Sequence, residues 1–152
     1  MKSLTCLMMA AAIFSFSDNA VTANDHVEQN TEPAKTILTV TFTVERREGA
    51  VMAALFDNAA AYKAGEAANA VTIAVDGPTA TAVFHDLLPG RVALKVFQDL
   101  NGDAVMNVNP FGMPVEPFAF SNDAMVRFGP LEWEAAAFPV KAGRNVHTIV
   151  ID

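Results

Sequence analysis

"TILTVTFTVE" at residues 36–45 decides the fold class. Leu38, Val40, Phe42 and Val44 fall on one side of an extended chain, and Thr39, Thr41, Thr43 and Glu45 on the other. Successive side chains of a strand point to opposite faces, so this alternation marks a strand with one buried and one wet face. A polar turn at residues 46–49 leads into "AVMAALFD" at 50–57, a second and more apolar strand. The short turn predicts that the two form a hairpin.

Downstream, "NAAAYKAGEAANA" at 58–70 is rich in alanine and predicts a short helix that starts near Asn58 and is weakened by Gly65. "VTIAVDGPTATAVFHDL" at 71–87 reads as strand, Gly77-Pro78 turn, strand. "LPGRVALKVFQD" at 88–99 opens on a Pro89-Gly90 turn; Val92, Leu94 and Val96 point one way, Arg91 and Lys95 the other. Residues 135–152 supply two last strands around Lys141 to Asn145. About seven short strands with Gly and Pro turns predict an all-β chain. The expected architecture is a single antiparallel β-sandwich, immunoglobulin-like or transthyretin-like, over residues 36–152, with one long loop and a short helix. A small closed barrel is the alternative.

The N-terminus has a separate character. Lys2 precedes an apolar run from Leu4 to Phe16, and Val21-Thr22-Ala23 puts small residues where a signal peptidase would cut. A basic start, a short apolar segment and a small-residue exit predict a signal peptide over residues 1–23. The apolar run is about 13 residues, shorter than the ~20 that span a bilayer, which disfavours a membrane anchor. Cys6 lies at the start of the apolar segment and not after it, which disfavours a lipoprotein. Residues 24–35, "NDHVEQNTEPAK", are polar and aperiodic and predict a disordered leader. The expected location is the periplasm or the medium. Cleavage would remove the only cysteine, and with it any disulfide, thiol nucleophile or cysteine metal site. A formal charge of −7 repels phosphate backbones, which argues against nucleic acid and anionic lipid as partners. No later run is apolar and long enough to span a membrane.

The longest stretch without strand character runs from Leu100 to Glu134. Loops of that length are uncommon in compact domains and are often functional. Asp99, Asn101, Asp103 and Asn107 stand at relative positions 1, 3, 5 and 9, with the Val105 carbonyl at position 7. Oxygen donors at that spacing wrap calcium in an EF-hand-like loop, because a hard cation takes six to eight oxygens. The pattern has gaps: Ala104 stands where glycine makes the sharp turn, and Pro110 where a bidentate glutamate closes the site. Glu116, or Glu132 and Glu134, would have to supply that carboxylate. The candidate calcium ligands are therefore Asp99, Asn101, Asp103, Val105, Asn107 and Glu116. Asp, Asn and Gly also form turns without any metal, so turn chemistry stays open beside calcium.

"FQDLNGDAVMNVNPFGMPVEPFAFSN" at 97–122, followed by "FGPLEWEAAAF" at 128–138, resembles the signature of a bacterial family of small exported proteins, the domain of unknown function 2141. Asp99, Asn101, Asp103, Asn107 and Asn109 match its polar positions. Gly112, Pro114, Glu116, Phe118, Phe120, Ser121 and Asn122 match its second block, and Trp133, Ala136 and Phe138 its third. "FHDLLPGRVALKVF" at 84–97 is similar to the turn and strand before that signature. The chain departs from it at Gln98 for histidine, Ala104 for glycine and Asn107 for aspartate. The resemblance implies export and a sandwich-like fold, and no activity.

Other chemistry is thinly supported. His85-Asp86 is an adjacent acid–base pair in the strand region, and no serine is marked to join it; a surface histidine at a strand end is the simpler account. His26 and His147 lie elsewhere, so no short-spaced zinc pair exists. Glu132 and Glu134 flank Trp133 as paired carboxylates of a glycosidase would, or as two solvated acids around one docked aromatic. Phe111, Phe118, Phe120 and Trp133 form either an aromatic platform for a sugar or a partner protein, or the pins of the long loop. The expected function is an exported, non-enzymatic binding or interaction module for an unidentified protein or glycan, with a calcium-binding loop. The rival is a hydrolase acting through the acidic residues of that loop.

Overall fold

The structure, a computed structural model, describes residues 35–126 and 129–152. The signal peptide expected at 1–23 lies outside them, as does the leader at 24–35 apart from Lys35. Among the described residues no helix is long and apolar enough to cross a membrane.

Among the described residues eight strands form two sheets. In chain order they are β1 (Thr36–Val44), β2 (Ala50–Phe56), β3 (Asn69–Ala74), β4 (Thr79–Leu87), β5 (Gly90–Asp99), β6 (Phe118–Phe120), β7 (Phe138–Val140) and β8 (Arg144–Ile151). The smaller sheet has the order β4-β1-β8 and the larger one β3-β2-β5-β6, with β7 also paired to β5. Between them lies one core. Leu38, Val40 and Phe42 of β1, Phe84 of β4 and Ile149 of β8 share it with Val51 and Leu55 of β2, Leu94 of β5 and Phe138 of β7. The alternation in residues 36–45 holds: β1 is buried at every second position. Each large side chain in this layer contributes ~1.5–3 kcal/mol by leaving water.

Three expectations are corrected. The sandwich is not wholly antiparallel, because β8 runs parallel to β1 in continuous register from Ile37↔Arg144 to Val44↔Ile151. An eighth strand, β6, sits in the stretch expected to be loop. Finally, β1 and β2 are not a hairpin: β1 pairs with β4 and β8, β2 with β3 and β5.

The turn at 46–49 changes sheets for a visible reason. Gln98, fully buried on β5, donates from Nε2 to the carbonyls of Arg46 at 2.6 Å and Glu48 at 2.7 Å. Gly49, at φ 72°, passes so close to β5 that a Cβ there would meet the Asp99 carbonyl oxygen at 2.1 Å. The turn is clamped onto β5, and β2 must leave from that sheet.

The helix is α1 (Ala59–Ala64). The Asn58 side chain caps its start by accepting from Ala61 N at 2.9 Å. Gly65 does not weaken the helix; it ends it in the left-handed conformation, at φ 78°. Residues 100–134 hold β6, the one-turn 3₁₀ element Ser121–Asp123 and the first half of the single-turn helix α2 (Trp133–Ala136). The buried Ser121 hydroxyl ties them down, accepting from Leu94 N at 2.8 Å and donating to Ala136 O at 2.7 Å. Asn122 donates from its amide to Ala135 O at 2.9 Å. Both residues belong to the block that carries the family resemblance, and their visible work is to hold this segment against β5.

Candidate functional site

The larger sheet has a second apolar face, turned away from the core. Strand registers place its side chains in two rows. One runs Ala70, Ala54, Lys95, Phe120 across β3, β2, β5 and β6; the next runs Thr72, Met52, Phe97, Phe118. Directly opposed side chains on one face lie side by side, so each row is continuous. Alanine at both Ala54 and Ala70 leaves a hollow beside larger neighbours. The walls are Tyr62 of α1, Met106 and Pro114 of the polar loop, and Val126, Gly129, Pro130 and Leu131. The hollow is open to solvent on one side and has a volume of about 640 Å³.

One charge enters this apolar space. Lys95 donates from Nζ to the Tyr62 carbonyl at 2.8 Å and stands over the rings of Tyr62, at 4.0 Å, and Phe56, at 4.9 Å. Burial lowers its pKa below the usual lysine value, since desolvation disfavours the charged form. Tyr62 is fixed by edge-on contacts with Phe56 at 5.3 Å and Trp133 at 5.8 Å. Burial, with a smaller push from Glu132, raises its phenol to about 12. Its hydroxyl is buried and has no partner among the described residues.

The polar loop borders the pocket through Met106 and Pro114. Asp99 accepts from Gly102 N at 2.7 Å with one oxygen and from Ala104 N at 2.8 Å with the other. Glu116, only 6% exposed, accepts from Leu100 N at 3.0 Å and Asn107 N at 3.2 Å, stapling both ends of the loop. Asp103 takes the amides of Asn101 and Asn107, both at 3.0 Å, on one oxygen and Val105 N at 2.9 Å on the other. The Asn107 amide, the Val105 N–H and the Asn101 amide, in that order of effect, hold the Asp103 carboxyl below its usual range. The loop thus brings Asn101, Asp103 and Asn107 side chains together, and ties Asp99 and Glu116 to backbone. Among the described residues no three acidic, histidine or cysteine side chains gather into a set that could hold a metal.

The remaining sequence candidates separate. His85 and Asp86 are exposed on β4, and Asp86 pairs with Lys35 at 3.3 Å. Glu132 and Glu134 are exposed on either side of Trp133, and Glu134 pairs with Arg91. Of the four aromatics, Phe118 and Phe120 stack edge-on at 5.9 Å and line the pocket, while Trp133 is only half-buried. Phe111 pins nothing, being 89% exposed. Sequence reasoning set Lys95 on the face opposite Val92, Leu94 and Val96, where it lies, but missed the pocket on that face. The available signal was β2: Met52, Ala54 and Phe56 are apolar on the face opposite Val51, Ala53 and Leu55, and a strand apolar on both faces is covered on both.

No curated protein and no solved structure matches this chain. The family described as "Uncharacterized protein conserved in bacteria" (DUF2141) matches residues 38–148, from β1 into β8 and across both the pocket and the polar loop. The chain belongs to that family.

Proposed function

We propose that this domain is a non-enzymatic binding module whose ligand site is the apolar pocket on the outer face of the larger sheet. The observation that carries the reading is the hollow over Ala54 and Ala70, of about 640 Å³, apolar on nearly every side with one cation at its floor. Small-molecule sites are concave, mostly apolar spaces of ~300–1,000 Å³ with a few placed polar groups. The rival hydrolase needs carboxylates converging on a cleft. The commitment of Asp99 and Glu116 to backbone N–H groups favours binding over hydrolysis.

The test uses the neutral fluorophore N-phenyl-1-naphthylamine. The parent protein is expected to enhance and blue-shift its emission. Ala70→Trp, at an exposed position on β3, should fill the hollow and weaken binding by at least about tenfold, or ~1.4 kcal/mol, without altering the far-UV spectrum. No enhancement with the parent, or equal enhancement with the variant, would overturn the proposal.

A second reading, calcium in the polar loop, is favoured by Ala104. It stands where an EF-hand loop has its turn glycine, and it adopts the left-handed conformation that glycine serves, at φ 60°. If calcium binds, Asp99, Asn101, Asp103, Asn107, Glu116 and the Val105 carbonyl are its ligands. The two asparagine amides would turn their oxygens toward Asp103, and the carboxylates would use lone pairs left over from their backbone bonds. Calcium would then supply loop rigidity and no chemistry.

The finer fold reading is an immunoglobulin-like or transthyretin-like sandwich, supported by the repeated change of sheet between successive strands. Export to the periplasm or medium rests on Lys2, the apolar run and Val21-Thr22-Ala23. A mature mass starting at Asn24 would support it, and an intact Met1 form in the inner membrane would refute it.

A further inference from the structure

We infer that the pocket takes a single-chain amphiphile with one carboxylate, its headgroup on the Lys95 ammonium and its chain over the Ala54–Ala70 hollow. This rests on the pocket being a ligand site and adds the chemical class of the ligand.

The argument starts from two bases on one strand. Arg91 and Lys95 both point to the outer face of β5. Arg91 is satisfied: it pairs with Glu134 and donates to the Ala137 carbonyl at 3.1 Å. Lys95 is not. An ammonium has three N–H donors, and among the described residues only the Tyr62 carbonyl accepts from it; no carboxylate pairs with it. Two aromatic faces hold it in place and offset part of its lost hydration. A partly buried cation without a counter-ion is costly, so an incoming anion gains both the pairing and the relief of that cost.

The same geometry narrows the ligand. One cation neutralises one negative charge, and a dianionic phosphate would bring a second, unpaired charge against apolar walls. The fork of Arg91 is already engaged, so the headgroup meets the point charge of Lys95, which pairs with one carboxylate without requiring bidentate geometry. A cationic ligand would be repelled, and a neutral one would leave two donors unmatched. The rest of the lining is hydrocarbon and aromatic, with Thr72 at its edge, and suits an acyl chain.

The experiment is displacement of N-phenyl-1-naphthylamine from the full chain by oleate and by oleyl alcohol, which share a chain and differ in the headgroup. The parent is expected to prefer oleate by roughly 10- to 100-fold, the range for a hydrogen bond to a charged group. Lys95→Met should remove that preference while keeping the affinity for the alcohol, and Lys95→Arg should restore much of it. If the fluorophore binds but the parent shows no preference for oleate, or Lys95→Met keeps it, this inference fails and the pocket reading survives. If the fluorophore does not bind at all, the pocket reading fails with it. Should Lys95→Met not fold, the parent's acid-to-alcohol ratio and the Lys95→Arg variant still decide the question.

Discussion

Lys95 donates to the backbone carbonyl of Tyr62 at 2.8 Å while its ammonium stands 4.0 Å from the centre of the same residue's ring. One helical residue thus holds the cation from two directions, and aims it at the hollow between α1 and the loop. Tyr62 can do this because it is buried at the centre of the small cluster formed by Phe56, Ala93, Ala136 and Ala137. A rigid scaffold beneath a charge that has no carboxylate partner among the described residues is an arrangement for recognition, since stability alone would favour an apolar residue there.

That argument predicts the sign of a stability change. Lys95→Met keeps an unbranched chain of similar length and removes an ammonium that no carboxylate among the described residues pairs with. Replacing a desolvated charge by a hydrophobe is often neutral or stabilising, so the melting temperature of the ligand-free protein should be unchanged or raised. A clear fall would mean that the cation supports the fold and is not held in reserve for a ligand.

Ser121 should behave in the opposite way. Its hydroxyl bridges Leu94 N and Ala136 O in the buried interior. Ser121→Ala leaves a buried N–H and a buried carbonyl without this partner, at a cost of ~1–3 kcal/mol for an unsatisfied group. Thermal melting should show a drop of several degrees. A neutral result would mean that the segment from β6 to α2 is held by its apolar contacts alone.

His147 links the fold to pH. It stacks on Phe138 with ring centres 3.9 Å apart, and its Nε2 accepts from Asn122 N at 3.2 Å. Burial lowers its pKa below 6.5, and Asp123 opposes that only in part. With the folded pKa depressed, the unfolded chain takes up the proton first. The contribution is complete above about pH 6.5 and is lost as pH falls toward and through the folded value. Melting temperatures from pH 7.5 to 5 should therefore decline more steeply for the parent than for His147→Phe, which keeps the stack and cannot titrate. Parallel curves would contradict the assignment.

Much of this architecture was legible in the sequence, and the losses have physical causes. Strand β1 was readable because one side of it is core and the other is threonine. Strand β8 was also expected, but its parallel pairing with β1 was not: the Asn145 amide that donates to the Ile37 carbonyl comes from 108 positions away, and pairing over such a distance leaves no local trace. Strand β6 is three residues long and exists through its pairing with β5, so its own pattern is too short to show. The turn at 46–49 misled because its direction is set by Gln98, far along the chain. In the site, the polar loop was visible as composition. The pocket was not, since it arises from alanines that matter for what they leave empty.

Calcium is tested by thermal melting in chelator against millimolar calcium, with magnesium as control because it demands a tighter octahedral shell. With Ala104 and Asn107 in place of glycine and aspartate, the expected Kd is ~10⁻⁴–10⁻³ M. Millimolar calcium, about 10 times Kd, should stabilise by about 1.4 kcal/mol. Asp99→Ala with Asp103→Ala should abolish the shift. If calcium leaves the parent's melting temperature where chelator left it, the loop is turn chemistry held by Glu116.

The central claim is that ligands enter over the Ala54–Ala70 hollow, and the methionines report on it directly. Met52 lies on the pocket floor and Met106 in its wall, whereas Met113 is an exposed residue of the polar loop outside it. With the methionine methyl groups isotopically labelled, a titration with N-phenyl-1-naphthylamine should shift the Met52 and Met106 resonances strongly, since an aromatic ring close by displaces nearby methyl signals. Met113 should barely move. Shifts at Met113 with Met52 and Met106 unmoved, or no shifts at saturating fluorophore, would contradict the account.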